Sequence, residues 1–198
     1  MIVLKTTGVV LTSIISVFLF FQEPAKEPAS PSKSLVERGK YLITVGGCHD
    51  CHTPKIWTEK GPDLDANRLL SGHPQDEKLP DVPKDALGQG KWAALTSMSF
   101  TAWVGPWGVS FSRNLTPDVA TGLGSWTEAM FIKTLRTGKH MGEGRDILPP
   151  MPWMNFAQMT NGDLKAMWAY LRSLKPISNS VPDPIAPSGA RIPTPNAK

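Results

Sequence analysis

The chain has 198 residues, 40% of them hydrophobic and 19% charged, with a formal charge of +4. That length suits one domain with extensions, and 19 prolines with 17 glycines predict much loop. No basic run with interleaved aromatics occurs, which excludes a nucleic-acid binder of the usual kind.

The chain opens on a targeting pattern. Lys5 supplies a positive start, and residues 6–21 form a mostly apolar stretch. Its length is near the upper limit of a signal core and short of the about 17–25 residues of a membrane span. No small-residue cleavage pattern follows, since Ala25 and Ala29 lack small partners two positions earlier. Residues 1–21 are therefore expected to be a signal peptide or an N-terminal membrane anchor, with the domain exported to the periplasm, soluble or anchored. Residues 22–33 carry Pro24, Pro28 and Pro31 and read as an extended linker.

The folded domain is expected from Ser34. Ser34 and Glu37 have capping-box spacing, and Leu35, Val36, Tyr41 and Leu42 follow on one helical face. Gly39 costs this helix about 1 kcal/mol against alanine. Close approach of another helix would explain it, and so would chance. Gly46 and Gly47 end the helix and lead into Cys48-His49-Asp50-Cys51-His52. These are the only two cysteines, and their spacing, with a histidine next, is that of a c-type haem attachment site. Two thiols three positions apart add to the two vinyl groups of one haem edge. The turn between them then brings the His52 imidazole beneath the ring as proximal iron ligand. A zinc half-site or a thioredoxin-like pair is the bland alternative. The first lacks a second cysteine pair and finger spacing among His49, His52, His73 and His140, and the second lacks a preceding βαβ pattern. A single motif implies one covalent haem c, with its iron.

Residues 54–108 form a long loop-rich insertion with Trp57, Trp92, Trp103 and Trp107. Most of these tryptophans are expected to shield the haem edge, with a docking surface as the alternative. Two helices follow. Ser125 and Glu128 open one over residues 126–136, with Trp126, Met130, Phe131 and Leu135 inward and Gly138 as its stop. Thr160 and Asp163 cap another carrying Leu164, Met167, Trp168, Leu171 and Leu174, ended by Pro176. Strand signals are weak throughout, so the fold class expected is all-α with long loops.

Between those helices lies Leu148-Pro149-Pro150-Met151-Pro152-Trp153. A thioether is a neutral, soft ligand for haem iron, and prolines on both sides stiffen the loop that would carry it. Met151 is the expected distal ligand, with Met154 next and His140 or Met141 as outsiders. Met167 and Met159 have simple packing roles. Residues 178–198 are a Pro-rich tail that reads as extended or disordered.

These residues together resemble a class I cytochrome c, and more narrowly the haem-c domains of cytochrome c subunits of membrane-bound alcohol, aldehyde and gluconate dehydrogenases. Three stretches carry the narrower match. One is Arg38-Gly39-Lys40-Tyr41-Leu42 leading to Gly46-Gly47-Cys48 and His52-Thr53. The next is Ser112-Arg113-Asn114-Leu115-Thr116-Pro117-Asp118 with Trp126-Thr127-Glu128. The last is Pro149-Pro150-Met151-Pro152-Trp153 with Tyr170-Leu171-Arg172-Ser173-Leu174. The resemblance covers most of residues 34–177. It implies an all-α class I cytochrome c fold, three or more helices around a covalently attached haem, with 54–108 inserted. It also implies His52 and Met151 as axial ligands, a crossing of the first and last helices near Gly39, and haem-bordering positions for Asn114, Thr116 and Trp126. Arg113 is open to a propionate pairing, with a solvated surface arginine as the plainer expectation. Two departures stand out: a single haem site where such subunits carry several, and the longer 54–108 segment.

The expected function is one-electron transfer outside the cytoplasmic membrane, by a carrier that is not itself an enzyme. Redox proteins would be its partners: a dehydrogenase or quinol-oxidising complex on one side, an oxidase or another cytochrome on the other. Two alternatives remain. One is a tightly held haem c subunit of a membrane complex. The other is a haem sensor or enzyme with an open distal site, where His140 or Arg145 would act as polar groups.

Overall fold

The computed structural model describes residues 32–83 and 85–189. The expected targeting segment 1–21, most of the Pro-rich linker and residues 190–198 of the tail lie outside the described residues. No described helix is long and apolar enough to cross a membrane.

The first and last long helices form the base. Helix α1 (Lys33–Val45) is capped by Ser32, whose side chain accepts from the Leu35 amide. The cap sits two residues before the expected Ser34 box, because Ser32 is the residue with extended backbone while Ser34 already lies in the first turn. Helix α5 (Asn161–Ser173) starts where expected, with Thr160 accepting from the Asp163 amide at 3.1 Å. The two helices cross at Gly39. A Cβ there would collide with the Ala166 carbonyl and come 2.8 Å from the Tyr170 Cβ, so the missing side chain is what lets the backbones meet. Arg38 donates to Asp163 at 3.0 and 2.9 Å beside this crossing. Helix α3 (Glu128–Thr137) is capped by Thr127 rather than Ser125 and stops at left-handed Gly138. Short helices α2 (Cys48–His52) and α4 (Trp153–Phe156) complete the helical set. Ile43, Leu123, Phe131, Leu135, Leu164, Met167 and Leu171 are buried together as the main core.

The domain is mixed α/β, not all-α. Strands β1 (Lys55–Thr58) and β2 (Gly61–Leu64) pair antiparallel, and β3 (Leu95–Thr96), β4 (Ala102–Gly105) and β5 (Gly108–Phe111) form a second antiparallel sheet. Each strand is two to four residues long, too short to display the alternation that marks a strand in sequence. Their tight turns make them. Gly61 at φ 106° and Gly108 at φ 95° occupy backbone states that other residues avoid. Both sheets belong to the loop-rich insertion and its exit, so the expectation of a domain without strands fails there.

Residues 178–186 run extended along this sheet side and end in a turn at Gly189. Val181 and Ile185 pack with Ala102, Phe111 and Val109 in a second small core, and Ile185 exchanges backbone bonds with Val109 at 2.7 and 2.9 Å. Beneath them His73, Thr101, Ser99 and Ser97 form a buried hydroxyl chain, with links of 2.9, 2.6 and 2.9 Å.

Two outcomes test this base. Gly39→Ala gains about 1 kcal/mol of helix propensity but forces two backbones apart at an overpacking cost of about 1–3 kcal/mol, so its melting temperature falls. Arg38 hydrogen-bonded to Asp163 holds that carboxyl below the ordinary carboxylate range. The pair's stabilisation is present above the unfolded value of about 4 and is lost as pH falls through the depressed folded value. Urea unfolding across that range shows a shallower acid slope in Asp163→Asn.

Candidate cofactor site

Helix α2 stands on Gly47, left-handed at φ 67°, whose carbonyl accepts from the Asp50 amide at 2.9 Å. So short a helix leaves its last carbonyls without partners. Lys55, the first residue of β1, supplies them: its ammonium donates to the carbonyls of His49, Asp50 and Thr53 at 2.8, 3.0 and 2.7 Å. A cation at a helix C-terminus is also favoured by the helix dipole. Thr53 is fully buried, and its hydroxyl accepts from the Leu70 amide at 2.8 Å. The insertion thus begins by fastening the motif it follows.

Cys48, Cys51 and His52 all line one cavity of about 910 Å³, at the upper end of the about 300–1,000 Å³ of cofactor pockets. Both thiols are free. Burial pushes the Cys48 thiol up to about 12 and raises Cys51 as well. A thioredoxin-like pair needs a lowered thiol, and burial here acts in the opposite direction.

His52 is fixed by its ring. Its Nδ1 lies 2.7 Å from the Arg113 carbonyl oxygen, which can only accept, so Nδ1 carries the proton. Burial holds the ring down to about 4, so it is neutral at pH 7 and Nε2 keeps its lone pair. A ligating histidine is oriented by just such a bond through its other nitrogen. The carbonyl is brought there by a close backbone approach. Gly72 lies at φ 79°, and a Cβ on it would stand 2.5 Å from the Ser112 oxygen and 2.7 Å from the Asn114 nitrogen. The Gly72 amide donates to the His52 carbonyl, and His73 to Ser112, each at 2.8 Å.

Arg113 is not a solvated surface arginine. The residue lines the cavity, and its guanidinium donates to the carbonyls of Val181 and Pro182 at 3.0 and 3.3 Å. Asn179 donates to the carbonyls of Ser71 and His73 at 2.7 and 2.8 Å, so the extended segment is pinned at both places and residues 180–184 form part of the wall. Asn114 and Trp126 line the cavity, while Thr116 does not; its hydroxyl donates to the Asn114 side-chain oxygen at 2.7 Å.

Met151 lines the same cavity, on a loop held from the sheet side: the Ser110 hydroxyl donates to the Pro149 carbonyl at 2.6 Å and accepts from the Trp107 indole at 3.2 Å. Among the described methionines only Met151 and Met167 line the cavity, and Met167 is a core residue of α5. Met154 is 58% exposed, and neither it nor Met141 lines the cavity. His140 does, with its ring edge-on to Trp126 at 5.2 Å. The tryptophan expectation largely fails. Trp57 and Trp92 are 52% and 70% exposed, Trp107 braces Ser110, and of the four only Trp103 reaches the cavity.

The residues present fit a haem attached through thioethers. Cys48 and Cys51 could anchor it from one short helix, and His52 and Met151 could supply nitrogen and sulfur from separate elements. Lys55, Gly72, Ser110 and Asn179 carry no signal in the sequence; each acts through a partner distant in the chain or on backbone, which leaves no local pattern.

Gly72→Ala tests the close approach that orients His52. It combines left-handed strain with backbone collision and is expected to cost on the order of 2 kcal/mol or more. Gly61→Ala carries a positive φ with open space around it, so urea unfolding should show the smaller loss there.

No family model matches the chain. Curated relatives do. A subunit of the nicotinate dehydrogenase of Pseudomonas putida is 28% identical over 151 residues, 76% of this chain and 10% of that protein. The cytochrome c subunit of the quinone-dependent alcohol dehydrogenase of Gluconobacter oxydans is 27% identical over 164 residues, 81% of this chain and 26% of the subunit. The gluconate 2-dehydrogenase cytochrome c subunit of Pantoea cypripedii is 27% identical over 151 residues, 76% and 26% of the two chains. The chain therefore spans between a tenth and about a quarter of the length of these relatives. At modest identity over most of its length, it is similar to the cytochrome c subunits of dehydrogenases.

Proposed function

We propose that the chain is a c-type cytochrome that passes single electrons. Cys48 and Cys51 hold one haem covalently, and His52 and Met151 are its axial ligands. The observation that carries this reading is that all four side chains open onto one cavity, with the His52 ring turned so that Nε2 keeps its lone pair. The haem, when bound, supplies an iron that takes up and gives back one electron. The protein's part is to keep both axial positions filled. Arg113 holds His52 through its carbonyl, and Ser110 holds the Met151 loop through Pro149. With both positions occupied, no substrate reaches the iron, so the chain carries electrons and does not catalyse.

The carrier works outside the cytoplasmic membrane, with residues 1–21 as signal or anchor. It takes electrons from a dehydrogenase or quinol-oxidising complex and delivers them to an oxidase or another cytochrome. The names of the relatives favour a second form of the same reading, in which the chain is a bound haem c subunit of a dehydrogenase complex. Co-purification with a second polypeptide separates the two.

The test is the absorption spectrum of holoprotein matured in a bacterial periplasm, with Met151→Ala alongside. Wild type should show a low-spin c-type spectrum and the weak far-red sulfur-to-iron band when ferric. The variant should lose that band and bind carbon monoxide when reduced. A wild type already high-spin and open to carbon monoxide would replace this reading with the open-site sensor or enzyme.

A further inference from the structure

Trp107 does not line the cavity, yet the hairpin around it is built to hold its ring. Gly105 of β4 pairs with Gly108 of β5, with Pro106 and Trp107 between them. A Cβ on Gly105 would sit inside the Trp107 ring. Gly105 is not among the residues with positive φ, so this glycine serves the space of the ring and not the conformation of the backbone.

The ring delivers one polar atom, and its chemistry fixes the direction of a relay. An indole nitrogen can only donate, and Trp107 Nε1 donates to the Ser110 hydroxyl at 3.2 Å. The Pro149 carbonyl can only accept, so the single hydroxyl proton of Ser110 goes to it, at 2.6 Å. Ser110 is buried at 7% exposure, and consecutive hydrogen bonds away from water strengthen one another. Pro149 stands two residues before Met151. The ends of that loop are tied elsewhere: the Ile147 amide donates to the Gly138 carbonyl at 2.7 Å, and the Trp153 amide to the Met151 carbonyl at 2.9 Å. Its middle hangs from Ser110.

We propose that Trp107 is a positioning residue for the Met151 sulfur, acting through Ser110 and Pro149 from outside the cavity. The inference rests on Met151 as distal ligand. It gives the β4–β5 hairpin control over how firmly the distal side is closed, and so over whether the chain stays a pure electron carrier or admits a small ligand. Without the indole N–H, the Ser110 hydroxyl loses the bond that orients it. Without the hydroxyl, the Pro149 carbonyl loses its donor, and a polar group that loses its partner inside a protein is costly.

The experiment uses periplasmic holoprotein and the variants Ser110→Ala and Trp107→Phe. Ser99→Ala is the control, a buried hydroxyl bonded to Ser97 and Thr101. Covalent haem content and melting temperature are measured first. The far-red sulfur-to-iron band of the ferric form and the rate of carbon monoxide binding to the ferrous form follow. Ser110→Ala and Trp107→Phe should retain covalent haem, weaken the far-red band and bind carbon monoxide faster. The increase in Ser110→Ala should be about fivefold, the usual worth of one hydrogen bond, and that in Trp107→Phe smaller. Ser99→Ala should lower the melting temperature and leave band and rate at their wild-type values. An unchanged band and rate in both relay variants, or an equal change in Ser99→Ala, would overturn the relay while Met151 stands as ligand. A far-red band that survives Met151→Ala would instead remove the ligand reading on which the relay rests.

Discussion

The bond between His52 Nδ1 and the Arg113 carbonyl, 2.7 Å long, is the constraint on which the site depends. It selects the tautomer, aims the other nitrogen and joins the attachment helix to the segment after β5. The same arginine, through its side chain, holds the Val181 and Pro182 carbonyls. One residue thus sets the ring on one side and closes a wall on the other. Its carbonyl can be there only because Gly72 lets two backbones come together.

The sheets matter for the same reason. Each holds a part of the site in place. Lys55 of β1 completes α2, Ser110 of β5 holds the proline loop of Met151, and Trp103 of β4 reaches the cavity. A small helical base with few apolar side chains is thereby extended into an enclosure by polar bonds of high sequence separation. Such bonds are strong where water is excluded.

The two-cysteine motif, the glycine stops, the α5 stripe and the proline-flanked Met151 loop are legible in the sequence because each is a local pattern. Gly39 is legible as a question, and the α5 backbone answers it. The caps of α1 and α3 lie two residues away from their expected places, before Ser34 in one case and after Ser125 in the other. Both serines satisfy the spacing of a true cap, and only backbone conformation decides between the candidates. The strands are illegible since turns, not alternation, create them. The tryptophans mislead for a different reason: side-chain size does not say which way a ring points, and Trp57 and Trp92 are exposed.

The extended segment around Asn179 fixes an order of assembly. Asn179 binds the Ser71 carbonyl across 108 residues of sequence, and the neighbouring residues close the cavity against Arg113. Such a wall cannot exist until the chain has returned from α5, because loop closure precedes the contacts that reward it. Until then the cavity lacks the part of its lining that residues 180–184 supply. Once the segment docks, its residues share one lining with Cys48 and Cys51. The segment that arrives last therefore completes the cavity's lining and does not found it.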